Sequence, residues 1–500
     1  FTSIGTINVD LKRSTDIIEH RGPDSDGYLE YNISKKKIIK DLDYIGKDNN
    51  PKVLFGFRRL SIIDLSQISN QPFSETHNKY HIVFNGEIYN YLEIKKELLK
   101  LGHRFITSSD TEVLLHAYIE WGKDCLSMLN GMWSFCILDL KKNILFCSRD
   151  RFGIKPFYYF KNKNGIVICS EIKQFFVNKF LNKVLNKNLV RDFLELGLTD
   201  HTDETFFKEI NILPPAHYLE IPLNNYNNVN QQRYWNLDIN NGYNNSLEDN
   251  IEIFKKLFFN SIELRYRSDV EVGACLSGGL DSSSIVSVSA YLNKSIRTFT
   301  QTNQSEKYSE YRYVEDLLNN YPMVKNQAVQ LNEKFENDDL DKVLYAQDEP
   351  ITSFGVLAQW KVMELAKNHN VSVLLDGQGA DEILGGYRKY SFFLIKELIN
   401  NHQIINGIKE LFYLAVNREF NFFNINGIKR YLNRSNVNKI LNEDLIKNYP
   451  ISQNEMVSSK TLKEKSKQDI NHFSYPVLLR YEDRNSMAFS IESRVPFLDY

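Results

Sequence analysis

Long apolar runs, paired cysteines and net charge are what this sequence lacks. No stretch reaches the roughly 18 consecutive apolar residues that a membrane-spanning helix needs, so we expect no membrane insertion. Basic and acidic side chains nearly balance, which leaves a formal net charge of −2 over 500 residues. Because no global field attracts anions, nucleic acid and anionic membranes are not expected partners, and binding has to be local.

Cysteine is scarce, with five residues in the whole chain. They occur in apolar or strand-like runs without paired spacing or a Cys-x-x-Cys pattern, at Cys125, Cys136, Cys147, Cys169 and Cys275. Isolated cysteines of this kind are typical of reduced thiols in a core. We therefore predict a cytoplasmic protein.

The length and the apolar pattern predict at least two domains of the α/β class. Residues 1–221 mix predicted strands, such as 133–138, with helical spacing, as in 111–121. The Asn-rich segment 222–245 has too little apolar content for a core and is predicted to be an exposed connector. In residues 246–500 helices and strands alternate, which predicts a doubly wound sheet.

The clearest chemical signal is the segment 272–283, where an apolar strand meets a glycine-serine turn and then a helix. Two glycines let backbone N–H groups crowd an anion, and the helix N-terminus adds a positive dipole. No Gly-Lys-Ser/Thr follows, so this is not the Walker pattern. The order Ser-Gly-Gly-Xaa-Asp-Ser-Ser instead resembles the pyrophosphatase-type loop of enzymes that split ATP between its α and β phosphates and make an acyl-adenylate.

The ATP site is predicted at the carboxyl ends of the strands, where ligands bind in such sheets. A second loop, 376–382, follows the strand 371–375 and is expected to face the first. Asp281 and Asp381 are predicted to share a Mg²⁺, because hard oxygen ligands suit this ion beside phosphates. The predicted ATP-binding residues are Leu276, Ser277, Gly278, Gly279, Asp281, Ser282, Ser283, Gln301, Asp376 and Gly377.

Polar clusters in the first half lie where apolar runs end, at 21–24, 58–64, 85–90 and 109–112. Each alone is compatible with an ordinary turn or helix cap. Together they offer an arginine for a carboxylate, an amide beside a glycine N–H for an oxyanion, and two acids for an ammonium. These groups match the needs of an amidase that binds glutamine.

In order and spacing these clusters resemble the class II glutamine amidotransferase domain. The resemblance implies a four-layer N-terminal-nucleophile (αββα) fold, in which Arg59 holds the α-carboxylate of glutamine with help from the backbone at Ile62 and Ile63. Two further segments, 149–156 and 170–173, also match the family's pattern. We interpret them as scaffold that faces the other domain.

The same resemblance assigns the rest of the glutamine site. It implies that Glu87 and Asp110 bind the amino group and that Asn85 and Gly86 form the oxyanion hole.

The family's nucleophile is a cysteine at the mature N-terminus, whereas residue 1 here is Phe. Since Phe1 to Gly5 resembles the sequence that follows the family's Cys-Gly opening, we expect a cysteine ahead of Phe1. The alternative nucleophiles are Thr2 and Ser3, and both would require removal of Phe1. The chain stops at Tyr500 after an apolar run, and we expect the second domain to continue beyond it.

The second half resembles the synthetase domain of glutamine-hydrolysing asparagine synthetases. The resemblance implies that glutamine is hydrolysed in the first domain, that ammonia passes inside the protein, and that the second domain adenylates aspartate or another carboxylate with ATP. Ammonia then displaces AMP. A homodimer is also expected.

One loop departs from that family. Its usual Ser-Gly-Glu/Asp-Gly, with an acid that can take a proton from ammonia, is replaced here by Asp376, Gly377 and Gln378. A neutral amide cannot act as a base. Either Asp376 compensates, or the acceptor is another carboxylate such as a uronic acid. A third alternative is a non-catalytic adenylate-binding or scaffold protein.

Overall fold

The computed structural model describes residues 1–178, 180–239, 245–303, 310–331, 337–416, 441–451 and 458–500. The first half contains thirteen labelled strands and six labelled helices within this described part. The strands are β1 (Thr2–Gly5), β2 (Ser25–Asn32), β3 (Lys37–Ile39), β4 (Lys52–Arg59), β5 (Phe73–Ser74), β6 (Tyr80–Ile88), β7 (Gly131–Asp139), β8 (Ile144–Arg149), β9 (Tyr158–Asn162), β10 (Gly165–Cys169), β11 (Ile210–Ile212), β12 (His217–Pro222) and β13 (Asn230–Arg233). The helices are α1 (Leu11–Asp16), α2 (Tyr91–Lys100), α3 (Asp110–Trp121), α4 (Cys125–Met128), α5 (Lys173–Phe176) and α6 (Lys187–Leu196).

The second half continues the numbering with alternating elements. They are α7 (Leu247–Arg265), β14 (Val272–Cys275), α8 (Leu280–Tyr291), β15 (Arg297–Asn303), α9 (Tyr311–Asn320), β16 (Lys325–Leu331), α10 (Asn337–Gln347), α11 (Gly355–Asn368), β17 (Val373–Leu375), α12 (Ala380–Leu384), α13 (Lys389–Asn400), α14 (Ile404–Val416), α15 (Glu443–Asn448), α16 (Leu462–Gln468), α17 (Tyr475–Ala488) and β18 (Glu492–Arg494). A π-helical turn, Asp469–Phe473, joins α16 to α17.

Two antiparallel sheets form the first half, with the strand orders β11-β9-β10-β1-β4-β2-β3 and β13-β12-β8-β7-β6-β5. Side chains alternate across a strand, so Val53 and Phe55 of β4 face the core between the sheets while Leu54 faces outward. Residues of α2 and α3 pack on the outer face of the second sheet, and residues of α1 and α5 pack on that of the first. The predicted αββα layering is confirmed.

The predicted connector 222–245 needs a correction. Residues Asn230–Arg233 form β13, which pairs with β12 in the second sheet, with Gln232 opposite Tyr218. All four residues of β13 are exposed. An edge strand of this kind is held by backbone hydrogen bonds and buries no side chains, so its polar composition gave no strand pattern. The first sheet system therefore extends to Arg233.

The second half is built on a parallel sheet with the order β16-β15-β14-β17-β18. From β14 the chain first moves outward through β15 and β16, and then returns to the other side for β17 and β18. The order thus reverses between β14 and β17, and their carboxyl ends open into a crevice where ligands of such sheets bind. The doubly wound fold is confirmed.

The cysteines are free, as expected. Cys125, Cys136, Cys147 and Cys169 are buried in the cores of the first half, and Cys275 is half-buried at the end of β14.

A network of buried ion pairs joins the two halves. Arg484 of α17 lies 3.1 Å from Glu171 and 3.2 Å from Asp348, and Arg21 forms two hydrogen bonds of 2.8 and 3.0 Å with Asp483. We call the following group the interdomain ion network: Arg21, Lys155, Glu171, Lys173, Asp348, Asp483 and Arg484. Segment 170–173 does face the second half, as predicted. Asp348 of the second half faces the first half, where it accepts a 2.8 Å hydrogen bond from the backbone N–H of Ile172.

Candidate active sites

A cavity of about 90 Å³ lies at the ends of β4 and β6 in the first half. Phe1 and all seven predicted glutamine-binding residues line it: Arg59, Ile62, Ile63, Asn85, Gly86, Glu87 and Asp110. Arg21 of the first polar cluster lines it too, so the fold brings all four separated sequence clusters to one place. We call this cavity the glutamine pocket.

Strand β6 supplies four consecutive residues of the pocket, Phe84 to Glu87. The side-chain nitrogen Nδ2 of Asn85 is buried and has no hydrogen-bond partner among the described residues. Gly86 has a φ of +150°, and a Cβ there would lie 2.0 Å from the carbonyl oxygen of Met132 on β7. Glycine is thus required at residue 86. The side-chain amide of Asn85, the preceding residue, is a free donor at the pocket wall.

Glu87 and Asp110 form a pair of buried carboxyl groups. Asp110 begins α3, and its Oδ2 accepts a 3.0 Å hydrogen bond from the backbone N–H of Ile88. Burial raises the pKa of Asp110 to about 6, and burial together with the charge of Asp110 raises the pKa of Glu87 well above its ordinary value. An ammonium group placed here would favour the charged form of both carboxyl groups.

Arg59 organises the loop that follows β4. Its Nη1 donates to the Ser66 carbonyl at 2.8 Å and to Oδ1 of Asn70 at 2.7 Å, and its Nη2 donates to the Asp64 carbonyl. The loop held in this way carries Ile62 and Ile63. Arg59 therefore positions these two residues in addition to facing the pocket.

Phe1 is buried at the pocket, and its nitrogen donates to the Gly56 carbonyl at 2.9 Å. It precedes β1, which lies between β10 and β4. The alternative nucleophiles Thr2 and Ser3 are buried in β1 and are not among the residues that line the cavity. None of the five cysteines, all of them in the described part of the chain, lines it either.

Sequence reasoning missed the contribution of the second half to the glutamine pocket. Met487 and Glu492 line it, and Nη2 of Arg494 lies 3.3 Å from Oε2 of Glu87. Arg494 ends β18, and the sequence around it does not indicate that its side chain contacts the first half.

A larger cleft of about 610 Å³ opens at the carboxyl ends of β14, β15 and β17. We call it the nucleotide cleft. Eight predicted ATP-binding residues line it: Leu276, Ser277, Gly279, Asp281, Ser282, Gln301, Asp376 and Gly377. Gln378 lines it as well.

Gly278 and Ser283 are not among the lining residues. Gly278 shapes the loop instead, since its φ is +90° and a Cβ there would lie 2.7 Å from the Glu310 carbonyl oxygen. The hydroxyls of Ser277 and Ser282 lie 3.0 Å apart and close the turn. The loop is thereby preorganised at the start of α8.

The two predicted metal ligands share an electronegative region. Burial, followed by the charges of Asp381 and Glu382, raises the pKa of Asp281 to about 6. Burial also raises the pKa of Asp381. Asp381 is not among the residues that line the nucleotide cleft, and the described residues contain no group of three metal-ligating side chains. Mg²⁺ commonly uses one or two carboxylates with substrate phosphates and water, so the two acids fit such an ion.

Comparison with known proteins assigns both halves. Residues 40–235 match the family model of the glutamine amidotransferase domain, and residues 254–500 match that of asparagine synthase. Asparagine synthetase (glutamine-hydrolysing) 3 of Bacillus subtilis is 30% identical over 98% of this chain and 76% of its own length. Asparagine synthetase 1 of the same organism has the same identity and coverage.

The chain belongs to the family of glutamine-hydrolysing asparagine synthetases.

Membership of this family makes the protein a glutamine-dependent ligase that uses ATP. It argues against the non-catalytic scaffold alternative. The overlap with the structure of the allosteric regulatory enzyme of purine biosynthesis is loose, with a TM-score of 0.35, 15% identity and coverage of 65% of this chain and 80% of the other. Within the described residues, we find no helix with the length and apolarity needed to cross a membrane.

Proposed function

We propose that this asparagine synthetase family member amidates aspartate, using ammonia from glutamine and releasing AMP and pyrophosphate. The observation that carries the proposal is the pairing, in one chain, of a glutamine pocket lined by seven expected residues with a nucleotide cleft lined by eight.

In the glutamine pocket, the charges are arranged for an amino acid. The carboxylates of Glu87 and Asp110 pair with the α-ammonium, and Arg59 attracts the α-carboxylate. The free Nδ2 of Asn85 donates to the oxyanion that forms at the side-chain carbonyl carbon. The nucleophile stays a prediction, namely a cysteine joined to Phe1, which lines this pocket. Sequencing of the message upstream of Phe1 tests it.

In the nucleotide cleft, the backbone of Ser277 and Gly279 and the N-terminus of α8 bind phosphate oxygens. Asp281 and Asp381 would hold Mg²⁺, which supplies neutralisation of phosphate charge when bound. Asp376 and Gly377 form the facing wall of the cleft. We place transfer of ammonia between the two sites inside the protein, where it stays neutral and away from bulk water. Support comes from Met487 and Glu492 of the second half, which line the glutamine pocket.

A second candidate is amidation of a different carboxylate by the same steps. Gln378 and Asp376 favour it, since both lie in the nucleotide cleft and both differ from the residues typical of the family.

Acceptor-dependent exchange between ATP and pyrophosphate distinguishes the two candidates. We expect aspartate to stimulate the exchange with Mg²⁺ present and to yield asparagine when ammonium is added. Exchange with a uronic acid but not with aspartate would replace the first candidate by the second. ADP as the product, in place of AMP, would overturn the adenylation mechanism for both.

The metal-binding acids have their own test. Asp281→Asn and Asp381→Asn are each expected to abolish Mg²⁺-dependent release of pyrophosphate and to leave glutamine hydrolysis largely intact, because the two sites lie in different halves. Asp316→Asn, an exposed carboxylate on α9, is the matched control. Loss of glutamine hydrolysis with retained pyrophosphate release would contradict the assignment.

We also propose a cytoplasmic location. Its support is that all five cysteines are free thiols, as expected in a reducing compartment.

A further inference from the structure

Two buried carboxyl groups meet at the wall of the nucleotide cleft. Asp376 follows β17 and lines the cleft, whereas Glu482 lies on α17 and is only 2% exposed. The two groups are neighbours in space, since the Ser493 hydroxyl donates to Glu482 and the carbonyl of the next residue, Arg494, accepts from the Asp376 N–H. Burial, followed by the charge of Asp376, raises the pKa of Glu482 well above its ordinary value. Since two adjacent negative charges repel strongly in a buried environment, the pair retains one proton near neutral pH.

Burial raises the pKa of Asp376, and its neighbours act against that rise. The Cys275 thiol, the Glu482 carboxyl, the Gly377 backbone N–H and the Gln359 amide each lower the pKa of Asp376. Burial raises the pKa of the Cys275 thiol well above its ordinary value, so this group stays a neutral donor. The loop is also anchored, because the backbone N–H of Asp376 donates to the Arg494 carbonyl at 2.9 Å.

Glu482 is held in a fixed orientation behind Asp376. Its Oε2 accepts a hydrogen bond from Gln359 and its Oε1 accepts one from Ser493. Gln359 is itself fixed, since its Oε1 accepts a 2.8 Å hydrogen bond from Asn485. Among the described residues, the titratable side chains that act on Asp376 are Glu482 of α17 and Cys275 of β14. Helix α11 contributes the neutral Gln359 amide and β18 contributes the Arg494 carbonyl.

Amide formation needs a proton acceptor in this cleft. As ammonia attacks the acyl-adenylate, the carbon–nitrogen bond forms, the bond from the acyl carbon to the AMP oxygen breaks, and AMP leaves with that electron pair. The nitrogen then carries a surplus proton. Gln378 cannot accept it, because an amide is not a base near neutral pH.

We infer that Asp376 accepts the proton of the attacking ammonia and that Glu482 is its positioning residue, which keeps Asp376 ionised by donating its own proton in a hydrogen bond. The inference rests on the proposed function, because it assigns a step of that reaction. After the step both members of the pair are protonated, and one proton leaves to water through the cleft.

The test measures two half-reactions on the full chain, with ammonium as the nitrogen source so that the glutamine site is bypassed. Asp376→Asn is expected to lower amide formation by about 10²- to 10⁴-fold, as for a lost general base. Because Asp376 also lines the nucleotide cleft, both half-reactions are measured at saturating ATP. Exchange between ATP and pyrophosphate is then expected to fall less than amide formation, because adenylation needs no such base.

The role of Glu482 is tested by the pH profile of amide formation. Glu482→Leu removes a donor that lowers the pKa of Asp376, so the acidic limb of the profile should move to higher pH. Glu482→Gln keeps an N–H donor and should retain the wild-type limb. Asp316→Asn, the exposed carboxylate on α9, is the control and should leave the limb in place. If Glu482→Leu does not fold, Glu482→Met replaces it.

Three results would count against this inference or its basis. If Asp376→Asn forms the amide at the wild-type rate, Asp376 is not the proton acceptor. If the acidic limb of the pH profile stays in place in Glu482→Leu, Glu482 does not have the positioning role. Absence of exchange in the wild-type protein with every acid offered would instead overturn the proposed function itself.

Discussion

At the scale of single residues, the free amide of Asn85 is the most specific feature of the glutamine pocket. Asn85→Ala and the equally sized Asn85→Asp both remove the donor, and we expect each to lower kcat of glutamine hydrolysis by about 10²- to 10³-fold. Asn85→Ala should cost little stability, because Nδ2 has no partner among the described residues. Asn85→Asp should cost more, because it adds a carboxylate to the pocket that holds Glu87 and Asp110. Amide formation with ammonium is the internal control. Equal losses in both activities would indicate a folding defect.

Asp110 predicts a pH dependence of glutamine binding. Burial raises its pKa to about 6, so it is protonated below that pH and loses the charge that attracts the α-ammonium of glutamine. We expect the KM for glutamine to rise as pH falls through about 6, and kcat/KM to report the free-enzyme pKa.

Asp110→Asn is the companion variant. Its KM for glutamine is expected to be about 10- to 100-fold higher at pH 8, because one charge-assisted hydrogen bond is lost. This KM should not rise further below pH 6, because the variant has no carboxylate to protonate. A KM that stays flat through pH 6 in the wild-type protein would contradict the role given to this carboxylate.

At the scale of elements, the pairing of β6 with β7 depends on Gly86. A Cβ at this residue would lie 2.0 Å from the Met132 carbonyl oxygen. Gly86→Ala therefore has to displace β7 or distort β6, and we expect it to lower the free energy of unfolding by about 3 kcal/mol.

Gly407 on α14 offers the matched control, since a Cβ there would meet only Ile399 Cγ1 at 3.6 Å and Leu398 Cβ at 3.9 Å. Gly407→Ala should raise the stability by about 0.5–1 kcal/mol, because alanine loses less backbone entropy in a helix. Denaturant unfolding of both variants provides the comparison. Similar stabilities would show that β6 tolerates a side chain at residue 86.

At the scale of the whole molecule, the interdomain ion network decides how the two sites are held together. Arg484 lies within ion-pair distance of Glu171 of the first half and Asp348 of the second. In Arg484→Met both carboxylates stay buried, but each loses a cationic partner. We expect it to cost about 3–5 kcal/mol of unfolding free energy, as for other broken buried pairs.

Lys447→Met removes an exposed partner of Glu443 and is expected to cost at most about 1 kcal/mol. A second readout is the ratio of glutamine-dependent to ammonium-dependent amide formation, which should fall only in Arg484→Met. If both variants unfold at the same denaturant concentration, the network does not stabilise the interface.

The sequence by itself determined the local arrangement of the candidate site residues. The loop around Gly278 at the start of α8 and the pocket positions of Asn85, Gly86, Glu87 and Asp110 agree with expectation, because each depends on a short segment whose backbone and side chains act together. The roles of these residues in binding and catalysis stay proposals. Hydrophobic periodicity likewise determined the two fold classes, since alternating and helical patterns are set by neighbours along the chain.

Only the tertiary structure decided the contacts between distant segments. The approach of Arg494 to Glu87, the pairing of Asp376 with Glu482 and the edge strand that ends at Arg233 join residues with no shared pattern in sequence. Such contacts form where layers from different parts of the chain pack against each other. A buried charge is stable only if the surface packed against it supplies a partner. Packing of the two halves therefore placed the residues that connect the glutamine pocket to the nucleotide cleft.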